Sequence, residues 1–216
     1  MTNPTIALFI HQPKCSIQSG NGIIQALGDQ YKFKIFTKHS LEKDFFDNVD
    51  MVAFPGGTGD SESFDYLMSD HLGRIKEFVG NGGRYLGICM GAYWADHHYF
   101  DLLDEVEAQQ YIRRPGTDTR RPHPKALAVN WQGQIEKMYF YDGCALVGNA
   151  EKFRTISSYA NGDAMAIIQN RVGLIGCHPE SEKNWYTEYH QWMRPHWHHR
   201  RHHQLLLDFV NQLMER

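Results

Sequence analysis

The sequence is poor in the features of secreted, membrane-spanning and nucleic-acid-binding proteins. Its four cysteines are widely spaced and form no C-x-x-C pair, so we expect neither a disulfide framework nor a zinc ribbon. No apolar run approaches the roughly 20 residues that a membrane-spanning helix needs. The N-terminal stretch MTNPTIALFIHQ lacks the basic start and the long apolar run of a signal peptide. The formal net charge is only −3, so no basic field favours nucleic acid. These absences predict a cytoplasmic protein with reduced thiols that binds neither membrane nor nucleic acid.

What the sequence does contain is typical of an α/β protein. It has 216 residues, 42% of them apolar and 22% charged, which suits a single domain with a real core. Short apolar runs at 5–10, 31–37, 49–54 and 84–88 read as strands, and helix-like stretches alternate with them. One of these stretches, 63–79, has apolar residues at helical spacing. This alternation predicts a parallel sheet with helices on both faces.

The second half of the chain has a different pattern. Residues 101–125 are charged and proline-rich, and we expect them to form an exposed excursion. Several short strand-like pieces follow, two of them joined by a hairpin turn at 161–163. Residues 190–214 form a histidine-rich segment that ends in a predicted closing helix. With no repeats and no long linker, residues 1–216 are expected to be one domain.

One cysteine lies at the predicted junction of a strand and a helix. Residues 87–91 read GICMG, so Cys89 has a glycine two positions before it and another two after it. Such glycines relieve crowding in the sharp turn of a nucleophile elbow. The following helix N-terminus favours a thiolate, and the next backbone N–H can stabilise an oxyanion. The alternative is a small buried cysteine whose glycines serve packing.

A thiol nucleophile also needs a base and a group that orients the base. Residues 176–180 read GCHPE and follow a predicted strand, where sites form in parallel sheets. His178 and Glu180 are two positions apart, so an extended backbone can project both side chains to one side. His178 would then move the proton while Glu180 holds the imidazole. The alternative is that these residues merely end a strand.

A glycine-rich loop follows the third predicted strand. Residues 54–59 read FPGGTG, and backbone N–H groups of Gly56 and Gly57 can supply an oxyanion donor. The loop lacks the lysine and the spacing of a phosphate-binding Walker loop. As a plain turn it needs no function.

Taken together, these motifs resemble a known superfamily. With AFPGG, GRYLGICMGAYWA, YFYDGCALVG and VGLIGCHPE in this order, the chain resembles the class I glutamine amidotransferase-like superfamily, whose triad is Cys–His–Glu. It is most similar to the amidotransferase-like domain at the N-terminus of eukaryotic biotin–protein ligases, which also occurs as stand-alone bacterial proteins. The resemblance implies a flavodoxin-like, mostly parallel sheet with additional short strands in the second half. It also implies an elbow at Cys89 completed by His178 and Glu180, with oxyanion donors near Gly57 and Met90.

One position departs from the glutamine-hydrolysing members of the superfamily. They carry glutamine four residues after the nucleophile, and this chain has Tyr93 there. The resemblance therefore implies a pocket that includes Tyr93 but is not that of a standard glutaminase.

The histidine-rich segment offers metal ligands by composition. His198 with His202, and His199 with His203, have the i, i+4 spacing that can hold zinc, nickel or copper on a helix. No cysteine or carboxylate cluster completes a ligand set, and the neighbouring arginines oppose a cation. We expect a solvated helix face or a self-association surface, with a metal site as the alternative.

These observations predict a cysteine-dependent hydrolase or acyl-transfer enzyme that acts on an amide or a related carbonyl, with no metal and no cofactor. The alternative is a non-catalytic module, related to the biotin–protein ligase N-terminal domain, that binds a small molecule or regulates a partner. The expected partner is a small-molecule or acyl substrate. A second copy of the chain, or another protein, is a further candidate.

Overall fold

A computed structural model describes residues 3–215, so Met1, Thr2 and Arg216 of the expected domain lie outside the described residues. The strands are β1 (Thr5–Phe9), β2 (Lys32–Phe36), β3 (Met51–Phe54), β4 (Arg84–Ile88), β5 (Val106–Gln110), β6 (Lys125–Trp131), β7 (Gln134–Phe140), β8 (Cys144–Gly148), β9 (Arg154–Tyr159), β10 (Ala164–Gln169) and β11 (Val172–Ile175). The α-helices are α1 (Ile17–Leu27), α2 (Ser61–Met68), α3 (Leu72–Gly80), α4 (Met90–Trp94) and α5 (Arg201–Met214).

One mixed sheet organises the chain. Strands β2, β1, β3, β4 and β11 lie side by side in that order, and all of them are parallel. From β11 onward the sheet continues antiparallel through β10, β9, β6 and β7. The predicted α/β class, with a parallel sheet and additional strands in the second half, is therefore confirmed.

The parallel strands are buried because helices cover both faces of the sheet. In β1, Ile6 and Leu8 belong to the core on the side of α1 and α5, whereas Ala7 and Phe9 belong to the core on the side of α2, α3 and α4. Successive side chains of a strand point to opposite faces. A continuous apolar run is therefore what a strand buried on both faces requires.

The predicted helices are present, with different bounds. The stretch expected at 63–79 is split into α2 and α3 by a 3₁₀ turn, Ser69–His71. The Ser69 hydroxyl donates to the carbonyl of Asp65, a contact that competes with regular helix geometry. Helix α4 ends at Trp94 rather than near residue 99, because Asp96 accepts the backbone N–H groups of His98 and Ala108 and turns the chain.

The prediction that residues 101–125 form an exposed excursion is wrong for the first part of that segment. Strand β5 lies within it and pairs along its whole length with β8, a strand that the sequence pattern did not reveal. Tyr111 follows β5 and is fully buried, stacked on Tyr159 with ring centroids 3.7 Å apart. Residues 120–123 are exposed, as expected.

The histidine-rich segment is not a solvated helix face. It begins with a 3₁₀ helix, Gln191–His196, and α5 follows after a short connection. His202 and His203 in α5 are 1% and 6% exposed. His198 stacks on His202, with ring centroids 4.1 Å apart. These histidines therefore contribute to the packing of the closing helix.

None of the helices within residues 3–215 is long and apolar enough to cross a membrane.

Candidate active site

Three predicted motifs meet at one edge of the sheet. The glycine loop follows β3, Cys89 follows β4, and the GCHPE segment follows β11. These strands are parallel neighbours, so their carboxyl ends lie together. The Cys89 N–H donates to the carbonyl of Ile175 at 2.8 Å, which fixes the cysteine to the end of β11. Long-range pairing thus brings together residues that are far apart in the sequence.

Cys89 has the backbone of a nucleophile elbow. Its φ is 50° and its ψ is −101°, a strained conformation for a residue with a side chain, and α4 begins at the next residue. A Cβ on Gly87 would lie 2.4 Å from the carbonyl oxygen of Gly91, and one on Gly91 would lie 2.1 Å from that of Phe54. Only glycine fits at either position. Gly87 therefore allows β4 and α4 to approach each other closely at the turn, and Gly91 allows α4 to approach the end of β3.

His178 and Glu180 form a buried pair. His178 Nδ1 lies 2.8 Å from Glu180 Oε1, with the histidine 5% exposed and the glutamate fully buried. Burial lowers the pKa of His178, but the negative charges of the Glu180 carboxylate and a Cys89 thiolate, with their hydrogen bonds, outweigh it and raise this pKa to about 10. The structure therefore favours a charged imidazole between Glu180 and Cys89.

The Cys89 thiol lies where two cavities meet. One cavity, of about 460 Å³, is lined by His178 and by aromatic side chains that include Tyr139, Trp185 and Tyr189. The other, of about 440 Å³, lies on the side of Tyr93. Cys89 and Tyr141 line both, as do Gly57 and Thr58. If a carbonyl carbon lies at the thiol, the two groups attached to that carbon can each occupy one of the cavities.

Ser19 connects the pair to the glycine loop, and sequence reasoning missed it. Its hydroxyl donates to Glu180 Oε1 at 2.6 Å and accepts the Gly56 N–H at 2.9 Å. Ser19 lies in the first turn of α1, on the loop side of β1 and thus at the same edge of the sheet. The same rule places the start of α1 at this edge, but no local pattern in the sequence points to Ser19 or to its partners.

The oxyanion-donor candidates have different availability. The Gly56 N–H is occupied by Ser19, and its carbonyl accepts the Ser16 N–H. The N–H groups of Gly57 and Met90 make no hydrogen bond within residues 3–215, and both residues line the cavity beside Cys89. Gly57 and Met90 are therefore free to donate to a ligand, whereas Gly56 holds the loop.

Tyr93 lines the cavity one helical turn beyond Cys89. Its hydroxyl donates to the carbonyl of Asp142 at 3.1 Å. Burial raises the pKa of Tyr93 far above its ordinary value, so the phenol is neutral. A tyrosine here presents an aromatic ring where glutamine would present an amide.

Potential metal ligands are grouped outside this site. Within residues 3–215, one group of three residues could hold a metal ion. It consists of Asp96, His97 and His98, which follow α4 and offer ligand atoms that all lie within 4.8 Å of one another. Their order in the sequence, DHH, matches none of the metal-ligand spacings considered above. In the histidine-rich segment, His198 and His203 each donate from Nε2 to the carbonyl of Ser181 at 3.1 Å. Those two rings therefore support the residue that follows Glu180.

Comparisons with known proteins agree on the architecture. A glutamine amidotransferase from Thermotoga maritima has a TM-score of 0.65 over 100% of both chains at 10% identity. A chain of PurLQS from Thermotoga maritima has a TM-score of 0.65 at 12% identity, with 98% of this chain and 100% of that chain covered. The fold is that of the glutamine amidotransferases. A further glutamine amidotransferase structure has a TM-score of 0.60 at 14% identity, with 88% of this chain and 98% of that chain covered.

The glutamine amidotransferase-like fold is accompanied by a match in sequence. Residues 13–108 match the family model described as "Biotin-protein ligase, N terminal". The matched part contains the glycine loop, the elbow and Tyr93. The predicted resemblance to this family is thereby confirmed at the cysteine and glycine motifs, whereas the GCHPE segment lies outside the matched residues. A comparison with curated proteins gave no match.

Proposed function

We propose that this protein is a cysteine-dependent hydrolase or acyl-transfer enzyme that acts on an amide or a related carbonyl. The observation that carries the proposal is the buried 2.8 Å contact between His178 Nδ1 and Glu180 Oε1, made by an imidazole that lines the same cavity as Cys89. A carboxylate that holds the imidazole in this way leaves its other nitrogen available to exchange a proton with a thiol.

The first step is attack on the carbonyl. Cys89, with its proton transferred to His178, attacks the carbonyl carbon, and the carbonyl oxygen becomes an oxyanion. The N–H groups of Gly57 and Met90, unused within the described chain, are the donors for that charge. Because the strained elbow holds Cys89 in place, little reorganisation is needed during attack.

The second step releases the amine and leaves a thioester on Cys89. The C–N bond breaks, and His178 gives its proton to the leaving nitrogen. Because a general acid must lie within hydrogen-bond reach of the atom that it protonates, the leaving group occupies the cavity that His178 lines. Water or another nucleophile then gives a proton to His178 and cleaves the thioester, which restores the thiol.

The leaving-group side is larger than ammonia requires. Its cavity of about 460 Å³ includes the rings of Tyr139, Trp185 and Tyr189. Together with Tyr93 in place of glutamine, this favours a substituted amide over glutamine itself.

Intact-mass spectrometry tests the proposal. The protein is incubated with N-aryl amides, N-alkyl amides and p-nitrophenyl esters, and acyl adducts are mapped to residues. We expect an adduct on Cys89 in the wild type and in Cys144→Ala, which removes a thiol outside both cavities, but none in Cys89→Ser. In His178→Ala we expect the acylation rate to fall by about 100-fold or more. Equal adduct formation in Cys89→Ser would overturn the proposal.

A second candidate function is a non-catalytic module that binds a small molecule or regulates a partner. The match of residues 13–108 to the biotin–protein ligase N-terminal model favours it. It predicts a ligand-dependent rise in melting temperature that is retained in Cys89→Ser. Stabilisation that requires the thiol would count against this candidate.

A further inference from the structure

The charged side chains that line the cavity on the Tyr93 side of Cys89 are all negative. Its lining includes the carboxylates of Asp60 and Asp142 and the phenols of Tyr93, Tyr99 and Tyr141, and no lysine, arginine or histidine is among its lining residues. A cavity whose walls carry negative charges without positive ones attracts cations and repels anions.

The two carboxylates are held differently. Asp60 caps α2 by accepting the Ser63 N–H at 2.7 Å, and contacts with Ser63 hold the pKa of Asp60 below its ordinary value. Its charge is therefore present at neutral pH. Lys14 lies close enough to lower that pKa further but does not line the cavity.

Asp142 has an unused hydrogen-bonding position. Its Oδ2 accepts from Gln110 Nε2 at 3.0 Å, whereas its Oδ1 is buried and has no hydrogen-bond partner within the described chain. Burial raises the pKa of Asp142, and a bound cation would offset that cost. Arg113 acts on Asp142 from outside the cavity lining.

The position of His178 assigns the cavities to the two halves of an amide. The leaving half belongs with His178, so the acyl half lies in the cavity of Asp60 and Asp142. We propose that the acyl half of the substrate carries a positively charged amine and no carboxylate; this inference rests on the proposed function. Two carboxylates and three aromatic residues in the lining suit an ammonium group. The carboxylate of an amino-acid amide such as glutamine would be repelled there.

Methanethiosulfonates of different charge provide the test. The Cys89 thiolate attacks the sulfenyl sulfur, a disulfide forms and methanesulfinate leaves. The probes carry a 2-(trimethylammonium)ethyl, a 2-sulfonatoethyl or a methyl group, and each rate on Cys89 is divided by its rate on free 2-mercaptoethanol at pH 7.5. We expect the cationic probe to exceed the anionic probe by about tenfold or more at low salt, with the difference shrinking as salt is added.

Two variants and one control locate the effect. Asp142→Asn, and Asp60→Asn, which keeps a helix-capping side chain, should each lower the ratio at least about threefold. Asp47→Asn removes an exposed charge from the loop that precedes β3, at the opposite edge of the sheet, and should leave the ratio unchanged. Equal normalised rates in the wild type, or a ratio that Asp60→Asn and Asp142→Asn do not lower, would overturn the inference. Failure of the proposed function would be seen in a separate experiment, the mass-spectrometric acylation assay, as acylation that does not depend on Cys89.

Discussion

Ser19 and Glu180 are 161 residues apart in the chain, and a hydrogen bond of 2.6 Å joins them in the buried interior. The same hydroxyl accepts the Gly56 N–H at 2.9 Å. One serine therefore connects the carboxylate that holds His178 to the loop that presents Gly57. His178, the proposed base, is thus coupled through a single side chain of α1 to the loop of Gly57, a proposed oxyanion donor.

This coupling predicts the effect of Ser19→Ala. The substitution leaves the buried Gly56 N–H without a partner and leaves Glu180 Oε1 with His178 alone, so the free energy of unfolding should fall by about 1–3 kcal/mol. Alkylation of Cys89 should slow in the same variant because His178 and the loop lose their common support. Urea unfolding and iodoacetamide kinetics measure the two effects. Ser158→Ala, at a partly exposed serine of β9 outside both cavities, is the matched control, and a Ser19→Ala protein that equals it in both assays would refute the coupling.

The four thiols should differ in reactivity. Cys15, Cys144 and Cys177 are fully buried, and burial raises the pKa of each, that of Cys15 to about 12. Cys89 is the cysteine that lines the cavities described above. We expect iodoacetamide at pH 7.5 to alkylate Cys89 before the other three, as peptide mapping will show. Comparable early labelling of Cys144 would contradict an accessible, activated Cys89.

The charge of His178 should depend on Cys89. Because Glu180 and Cys89 raise the pKa of His178 from 6.5 to about 10, the imidazolium stabilises the fold fully below pH 6.5, and this stabilisation is lost as the pH rises through about 10. Cys89→Ser removes one of the two groups that raise this pKa. We expect the pKa to fall in that variant, as an NMR titration of the imidazole measures. Cys144→Ala should leave it unchanged, and a neutral His178 in the wild type at pH 7 would contradict the structure.

The elbow glycines should not tolerate a methyl group. In Gly91→Ala the new Cβ would lie 2.1 Å from a backbone oxygen, and backbone cannot move aside as a flexible side chain can. We expect destabilisation of at least about 3 kcal/mol, or no folded protein. Gly73→Ala is the control, because a Cβ at Gly73 in α3 meets nothing within 4 Å. There alanine should stabilise the helix by up to about 1 kcal/mol. Thermal or urea unfolding measures the stability of both variants. Equal stability of Gly91→Ala and Gly73→Ala would refute the close approach of the backbone at Gly91.

The buried histidines should make the fold sensitive to acid. Burial lowers the pKa of His202 to about 4 and that of His198 to about 2, so both are neutral in the folded protein at neutral pH. The stability that depends on their neutral form is present above pH 6.5 and is lost as the pH falls toward about 4. We expect a loss of about 2 kcal/mol or more between pH 6.5 and pH 4.5.

Glutamine variants separate this effect from general acid unfolding. His198→Gln and His202→Gln remove one titrating group each, so their stability should fall less over the same interval in urea titrations. His39→Gln, at an exposed histidine, should follow the wild type. If all three variants lose stability in parallel with the wild type, the buried histidines are not responsible.

The sequence by itself determined the features whose cause is local. The GICMG turn needs glycine on both sides of Cys89, and the apolar runs at β1, β3 and β4 mark strands covered on both faces, so both could be read from residue order. The rule that parallel strands end at one edge was enough to place Cys89 near His178 and Glu180. Tertiary structure alone decided the role of Ser19, since its partners are Gly56 and Glu180 and no local pattern names them.

Strands β5 and β8 depend in the same way on their pairing with each other rather than on a strong periodicity of their own. Burial of His202 and His203 likewise follows from the docking of α5, which overrides the polar composition of that segment. The two cavities at Cys89 exist only because strands that are distant in the sequence bring their loops together, and surfaces that arise from long-range contacts have no signature in any single segment.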